Sequence, residues 1–326
     1  MNAVRGMTLR DRVAAQGGVA SIAAFFLIVC VYFSFATVGF LTEANLLNIL
    51  RQSAPLLIVG AAMTFVITTG GIDLSVGSTV ALTGALSAIL LQSGDLAWPV
   101  VFVAMLALGG LIGVVQGFFI AYERIPAFIV TLAGMSVFRG IALLMTGGYS
   151  IPVEPGTGYV FLGRGWFAGV PVPALIAIAV LLLAALVFNQ TRFGRYVTGI
   201  GANAEAVRRA GVDIRLVTLS VYVLSGAAAA LAGLLLTARL GSGSSNAGIG
   251  FELEVIAAVV LGSTSLFGGR GTVAGTVLGA LTVAVIGNGL ILSHLSPFLT
   301  PIVTGCIILI AIWLNFRMFS GGGRRR

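Results

Sequence analysis

The chain of 326 residues contains no lysine, and all 18 of its basic residues are arginine. A Walker A loop places a lysine on the nucleotide phosphates, so this chain carries no P-loop. Schiff-base chemistry at lysine is excluded as well. Histidine occurs once, at His294, and no acid–base pair stands at useful spacing, which leaves no enzyme site. The two cysteines, Cys30 and Cys306, lie inside apolar runs without disulfide or metal spacing and read as small packing residues. Proline is scarce, at nine residues, so the 45 glycines are not a disorder signature. Charge is scarcer still. Charged residues make up 9% of the chain, where a soluble domain carries about 25%.

What is present is apolar: 58% hydrophobic residues and a mean hydropathy of +1.10. A chain with so little polar surface belongs in a lipid bilayer, and its glycines let helix backbones approach closely there. A helix crossing the hydrocarbon core needs roughly 20 apolar residues. On that basis the chain is an all-α polytopic membrane protein of about ten spans: 18–40, 54–69, 79–91, 98–122, 126–146, 171–188, 217–238, 251–262, 272–292 and 298–316. Residues 1–17 form an N-terminal arm, 18–316 a single transmembrane domain and 317–326 a tail. The first apolar run is too long for the core of a cleavable signal. Residues 41–53 read as a short interfacial helix capped by Thr42. Residues 147–170 read as turns, because they hold Pro152, Pro155 and several glycines.

An even span count puts both termini on one side. That side collects 14 arginines, counting Arg5, Arg10, Arg12, Arg124, Arg192, Arg195, Arg208, Arg209, Arg215, Arg270, Arg317 and Arg324 to Arg326. The other side holds Arg51, Arg139, Arg164 and Arg239. The positive-inside bias therefore places both termini and the polar stretch 189–216 in the cytoplasm. The net charge of +8 follows from this orientation, and nucleic acid is not a partner.

The two halves echo each other. Gly109, Gly113 and Gly117 recur every four residues, as do Gly271, Gly275 and Gly279, which predicts one packing face per trio. Pro126 and Gly134 stand eight residues apart, as do Pro297 and Gly305. Asp73-Leu-Ser-Val is matched by Glu252-Leu-Glu-Val. Spans 2–5 (first repeat, about 54–147) thus pair with spans 7–10 (about 217–316). The offset of five spans inverts the second copy, a transporter arrangement with a pathway between the copies.

Polar residues inside the spans are the pathway or gating candidates: Asp73, Ser75, Ser78, Gln116, Arg139 and Asn288. Asp73 suits the N-terminus of span 3, where a carboxylate caps free amides; it is also the one strong candidate for carrying a coupling ion. Arg139 inside span 5 costs about 2.5–3.5 kcal/mol at mid-bilayer unless it finds a partner, a wet cavity or the interface. Glu252 and Glu254 open span 8 near the outer face, at the pathway's mouth or simply solvated. In the central stretch, residues 201–211 read as a short helix with Asn203 as N-cap and Gly211 as C-cap. A helix that short is marginal alone in water. It either leans on the membrane end of the protein, docks a partner, or belongs to an ordinary positive-inside loop.

Four motifs in fixed order, GIDLSVGS (71–78), PAFIVTLAGMSVFRG (126–140), GANAEAVRRAGV (201–212) and LGSTSLFGGRGT (261–272), carry a resemblance covering about residues 20–316. The chain resembles the membrane permeases of bacterial ABC importers for ribose and related monosaccharides. The resemblance implies a vitamin-B12-permease-like (type II importer) architecture in the bacterial inner membrane, working as a dimer with a second copy or a paralogue. It also implies two ABC ATPase subunits below and a periplasmic or extracellular sugar-binding protein above. ATP and Mg are then held by the ATPase, and this chain binds no cofactor. Residues 201–212 correspond to the coupling helix that docks on the ATPase, with Gly201, Asn203, Glu205, Ala206, Arg208, Arg209 and Gly211 as its marks. The function implied is inward movement of a pentose or hexose by alternating access. The alternative is an ion-coupled secondary transporter using Asp73.

Overall fold

The computed structural model describes residues 9–296 and eight residues beyond them: Leu299, Ile302, Val303, Gly305, Cys306, Leu309, Ile310 and Trp313. For residues 9–18 it describes the backbone alone. The arm's first eight residues, Pro297, most of the tenth predicted span and the tail lie outside the described residues.

Eleven helices occur among the described residues. α1 (Leu9–Ala36) is followed by α2 (Glu43–Thr68), α3 (Val76–Ser93), α4 (Trp98–Ala121) and α5 (Ala127–Thr146). A small lobe then holds β1 (Ile151–Pro152), α6 (Gly158–Arg164), β2 (Trp166–Phe167) and β3 (Val170–Pro171). α7 (Val172–Gln190), α8 (Arg192–Arg209), α9 (Ile214–Leu240), β4 (Ser242–Gly243), α10 (Phe251–Leu261) and α11 (Val273–Leu292) complete the order. Eight of the helices are long and apolar enough to cross a membrane. α10 is not one of them, because it has only 11 residues.

α2 is the axis of the fold. Residues 53–68 are buried without interruption, packed by α7, α9, α10 and α11. A helix enclosed on every side has to be apolar nearly all round, and the three polar residues of this stretch, Ser53, Thr64 and Thr68, turn their hydroxyls onto carbonyls of their own helix. It is also longer than the sequence predicts, since the interfacial helix and span 2 are one helix of 26 residues running through Pro55. Thr42 caps its start, accepting from the Asn45 amide at 3.4 Å. The loop expected over 147–170 holds a helix of seven residues and three short strands. β1 pairs antiparallel with β4 (Ile151 opposite Gly243), and β2 pairs with β3.

The helix contacts mirror each other between the halves. α4 packs on α9 as α11 packs on α2, α3 meets α4 as α10 meets α11, and α3 meets α9 as α10 meets α2. Glycines close these contacts. A Cβ at Gly109 would meet the Gly226 carbonyl, one at Gly113 the Tyr222 carbonyl, and one at Gly117 the Leu219 backbone. In the second half Gly275 lies on Gly262 and Gly279 on the Ala258 carbonyl. Gly271 departs from the expected single face. It precedes the α11 cap residue Thr272, outside the helix, and fits against the Thr68 hydroxyl instead.

Candidate functional site

Two breaks interrupt the helices, and their geometry sets the polar interior. The first, residues 69–75, turns back after α2. Asp73 is 1% exposed there and fully engaged. Its Oδ1 accepts from the Ser75 amide (2.9 Å) and the Ser75 hydroxyl (2.7 Å), and its Oδ2 accepts from the Ser225 hydroxyl of α9 (2.7 Å). Ser225 lies eleven residues into α9, about 16 Å along its axis. Asp73 therefore ties the start of α3 to the middle of α9. Ser75 reaches Gln116 of α4 at 3.2 Å, and Ser78 folds back onto the Ser75 carbonyl at 2.8 Å. Asp73, Ser75, Ser78 and Gln116 form one cluster, each at most 3% exposed. They are enclosed within the chain.

The second break, residues 241–250, folds back along α3. Gly243 lies against Gly84 and Ala85, while Gly248 lies against Gly77, seven residues nearer the start of α3. α10 consequently begins deep beside the first turn of α3. This corrects the expected position of Glu252 near the outer face, because a Cβ on Gly77 would meet the Glu252 carboxylate. It also explains why α10 is short. The N-termini of α3 and α10 meet inside the bundle, which is the arrangement of broken helices in transporters.

Arg139 is the clamp on this second break. Its Nη1 donates to the carbonyls of Ser245 and Ala247, the latter at 2.7 Å. The partner demanded by its charge is thus backbone, reached across from α5. Thr131, two turns earlier on α5, reaches the Ile72 carbonyl of the first break at 3.3 Å. Asn288 stands apart from both breaks. It exchanges two amide hydrogen bonds with Asn45 (2.9 and 3.0 Å), joining the end of α11 to the start of α2. Sequence reasoning missed Ser225 and Thr131, which carry no local signal. It also missed a cavity of about 250 Å³ beneath the first break, lined by Gly70, Gly71, Ile125, Pro126, Thr218 and Tyr222.

The polar stretch after α7 is built as two helical pieces. Thr191 caps the first, accepting from the Gly194 amide at 3.4 Å, and Val197 and Ile200 bury its inner face. Residues 192–202 are helical, which extends the expected short helix backwards. Asn203 (φ −164°, ψ 93°) then breaks the run and restarts it, its Oδ1 accepting from the Ala206 amide at 3.0 Å. Glu205 pairs with Arg208 and with Arg209 (2.9 Å) on the outer face. Such exposed pairs stabilise little. Gly211 takes φ +82°, and its amide reaches the Arg208 carbonyl at 3.0 Å, closing the end in the left-handed conformation that favours glycine. Asp213 then caps α9 through the Arg215 and Leu216 amides.

The seat of this element is Gly201. A Cβ there would meet the Thr68 carbonyl, the Gly269 amide and Gly268. The Gly269 amide itself donates to Thr68 at 2.9 Å. One glycine therefore touches the end of α2 and the α10–α11 loop together. Glu205, Ala206, Arg208, Arg209 and Ala210 all face outward.

Comparison with known proteins bears on this arrangement. The family described as branched-chain amino acid transport system / permease component matches residues 45–312. The ribose import permease protein RbsC of Escherichia coli (strain K12) is 42% identical over 282 residues, 85% of this chain and 87% of that protein. RbsC of Bacillus subtilis (strain 168) is 42% identical over 280 residues, covering 85% and 86%. The xylose transport system permease protein XylH of Escherichia coli (strain K12) is 35% identical over 350 residues, covering 88% of each.

Proposed function

We propose a function from one premise: the chain belongs to the branched-chain amino acid transport system / permease component family. It is the transmembrane permease subunit of an ABC importer for a monosaccharide, a transport subunit and not an enzyme. The sugar is a pentose or hexose, in keeping with the ribose and xylose in the relatives' names. The permease works as a dimer of ten-span subunits in the bacterial inner membrane, with both termini in the cytoplasm. ATP and Mg sit on the ATPase subunits, and a binding protein delivers sugar from outside.

The observation that carries this reading is the seating of residues 201–211. The helix after Asn203 is capped at both ends and turned outward, while Gly201 rests on the end of α2 and on the α10–α11 loop at once. Thr68 ends α2 and leads into the first break; residues 262–272 follow α10, which leads out of the second. A push on the outward helix reaches both breaks through one point. That is a physical route from ATP-driven closure of the ATPase to alternating access. The ion-coupled alternative needs an acid free to bind and release its ion, and Asp73 has both oxygens engaged.

The test is reconstitution in vesicles with the ATPase and the binding protein. Ribose or xylose uptake is expected only with internal ATP, and uptake driven by an ion gradient without ATP overturns the reading. Glu205→Arg and Arg209→Glu should weaken assembly with the ATPase. Gly201→Val should abolish coupled uptake, since its side chain has only backbone to displace. Unchanged assembly and uptake in all three would refute the docking assignment.

A further inference from the structure

Phe267 is 89% exposed, and its neighbour Leu266 is 43% exposed, on the loop between α10 and α11. This loop is held rigidly. The Ser265 amide donates to the Arg270 carbonyl at 2.9 Å, the Gly268 amide to the Ser265 carbonyl at 3.0 Å, and the Gly269 amide to Thr68 at 2.9 Å. Gly268 (φ +79°) and Gly269 (φ +75°) adopt a backbone that other residues rarely take; Gly268 lies on Gly201 and Gly269 on Ala202. The chain thus fixes its backbone against the root of the outward helix, then leaves a phenylalanine uncovered one residue away.

We infer that residues 265–270 form a second contact for the ATPase subunit, with Phe267 as its apolar anchor beside the helix after Asn203. The inference rests on the function proposed above. Continuity supports this occupant, because Ala202 is exposed, touches Gly269 and leads straight into the outward helix. A partner covering Glu205 to Arg209 meets the 265–270 loop at the same corner. Preorganisation supports it as well. An aromatic side chain on a rigid backbone loses little freedom on binding, and such residues dominate interface energetics. Charge defines the partner's chemistry. Arg208, Arg209 and Arg270 are exposed, and Glu205 is paired with the first two. The matching surface on the ATPase is an apolar pocket with a carboxylate rim.

The experiment uses the assembled importer in vesicles. Phe267→Cys is introduced with Cys30→Ser and Cys306→Ser, and labelling by a membrane-impermeant maleimide is followed from the ATPase side. Labelling should be rapid in the permease alone and at least about tenfold slower once the ATPase is bound. Equal labelling in both states overturns the inference, and so does protection in the permease alone, which would mean that lipid covers the site. Phe267→Asp should weaken ATPase binding by at least about tenfold, and Phe267→Trp should retain it. Permease melting in detergent should be unchanged in both. If Glu205→Arg disrupts assembly and Phe267→Asp does not, the second contact is wrong and the coupling helix stands. If neither has an effect, the ATPase reading itself fails.

Discussion

The two breaks do the same job with different chemistry. The first spans seven residues and is closed by a side chain, the buried Asp73 carboxylate gathering Ser75 and Ser225. The second spans ten residues and is closed by backbone, with β4 paired to β1 and two carbonyls held by Arg139. Repeats that share architecture need not share a fastening. A short break has few carbonyls to offer and leaves its amides to a carboxylate. A longer break turns carbonyls outward, and a cation from another helix collects them. α5 touches both breaks, through Thr131 at the first and Arg139 at the second.

This contrast makes the first break the more fragile. Asp73→Leu leaves the Ser75 amide and the Ser225 hydroxyl without their acceptor inside the protein and the Ser75 hydroxyl with Gln116 alone, at a cost of about 3 kcal/mol. Unfolding of the detergent-solubilised permease measures it, and a cost below that of any Arg139 variant would reverse the ranking. Arg139→Met should cost less, about 1.5 kcal/mol, because only the Ser245 carbonyl belongs to a fully buried residue, while Ala247 is half-buried and its carbonyl can recruit water. The combination Asp73→Asn with Arg139→Gln sharpens the picture. If the breaks are independent, the two effects add to within about 0.5 kcal/mol. A larger coupling would show that α5 transmits between them. Thr131→Val should have the smallest effect, about 0.5 kcal/mol or less, because its 3.3 Å bond to Ile72 is long and the hydroxyl also serves Ala127 of its own helix.

Local signals are legible in the sequence, and long-range ones are not. The caps at Thr42, Asn203 and Gly211 are readable because a cap is a residue type at a fixed offset from a helix end. The glycine trio on α4 is readable because a period of four marks one helix face. Gly271 breaks the analogy, since a period says nothing about where a helix begins. The depth of Glu252 is invisible locally. It follows from Gly77, Gly84 and Gly248 letting a loop fold back along α3, and nothing in residues 241–250 announces that partner. The change from mixed to apolar sequence after residue 53 misleads for a related reason. The expected boundary at residues 53–54 is a local preference, and packing on every side of α2 overrides it. The two helical pieces of α8 are half legible: Asn203 announces the restart, but the helicity of residues 192–202 depends on Val197 and Ile200 finding the core.

The pairing of β1 with β4 has a consequence for how the small lobe can change over generations. The lobe grips the second break through main-chain bonds, among them the Val153 amide to the Gly241 carbonyl at 2.9 Å. A grip made of peptide groups is indifferent to most side chains. The lobe's surface, with Tyr149, Trp166 and Phe167 exposed on it, is therefore free to drift while its hold on the break persists. Asp73 has no such freedom, because its grip is the side chain itself. Selection can redraw the surface of the lobe residue by residue, while the buried fastening must be inherited whole.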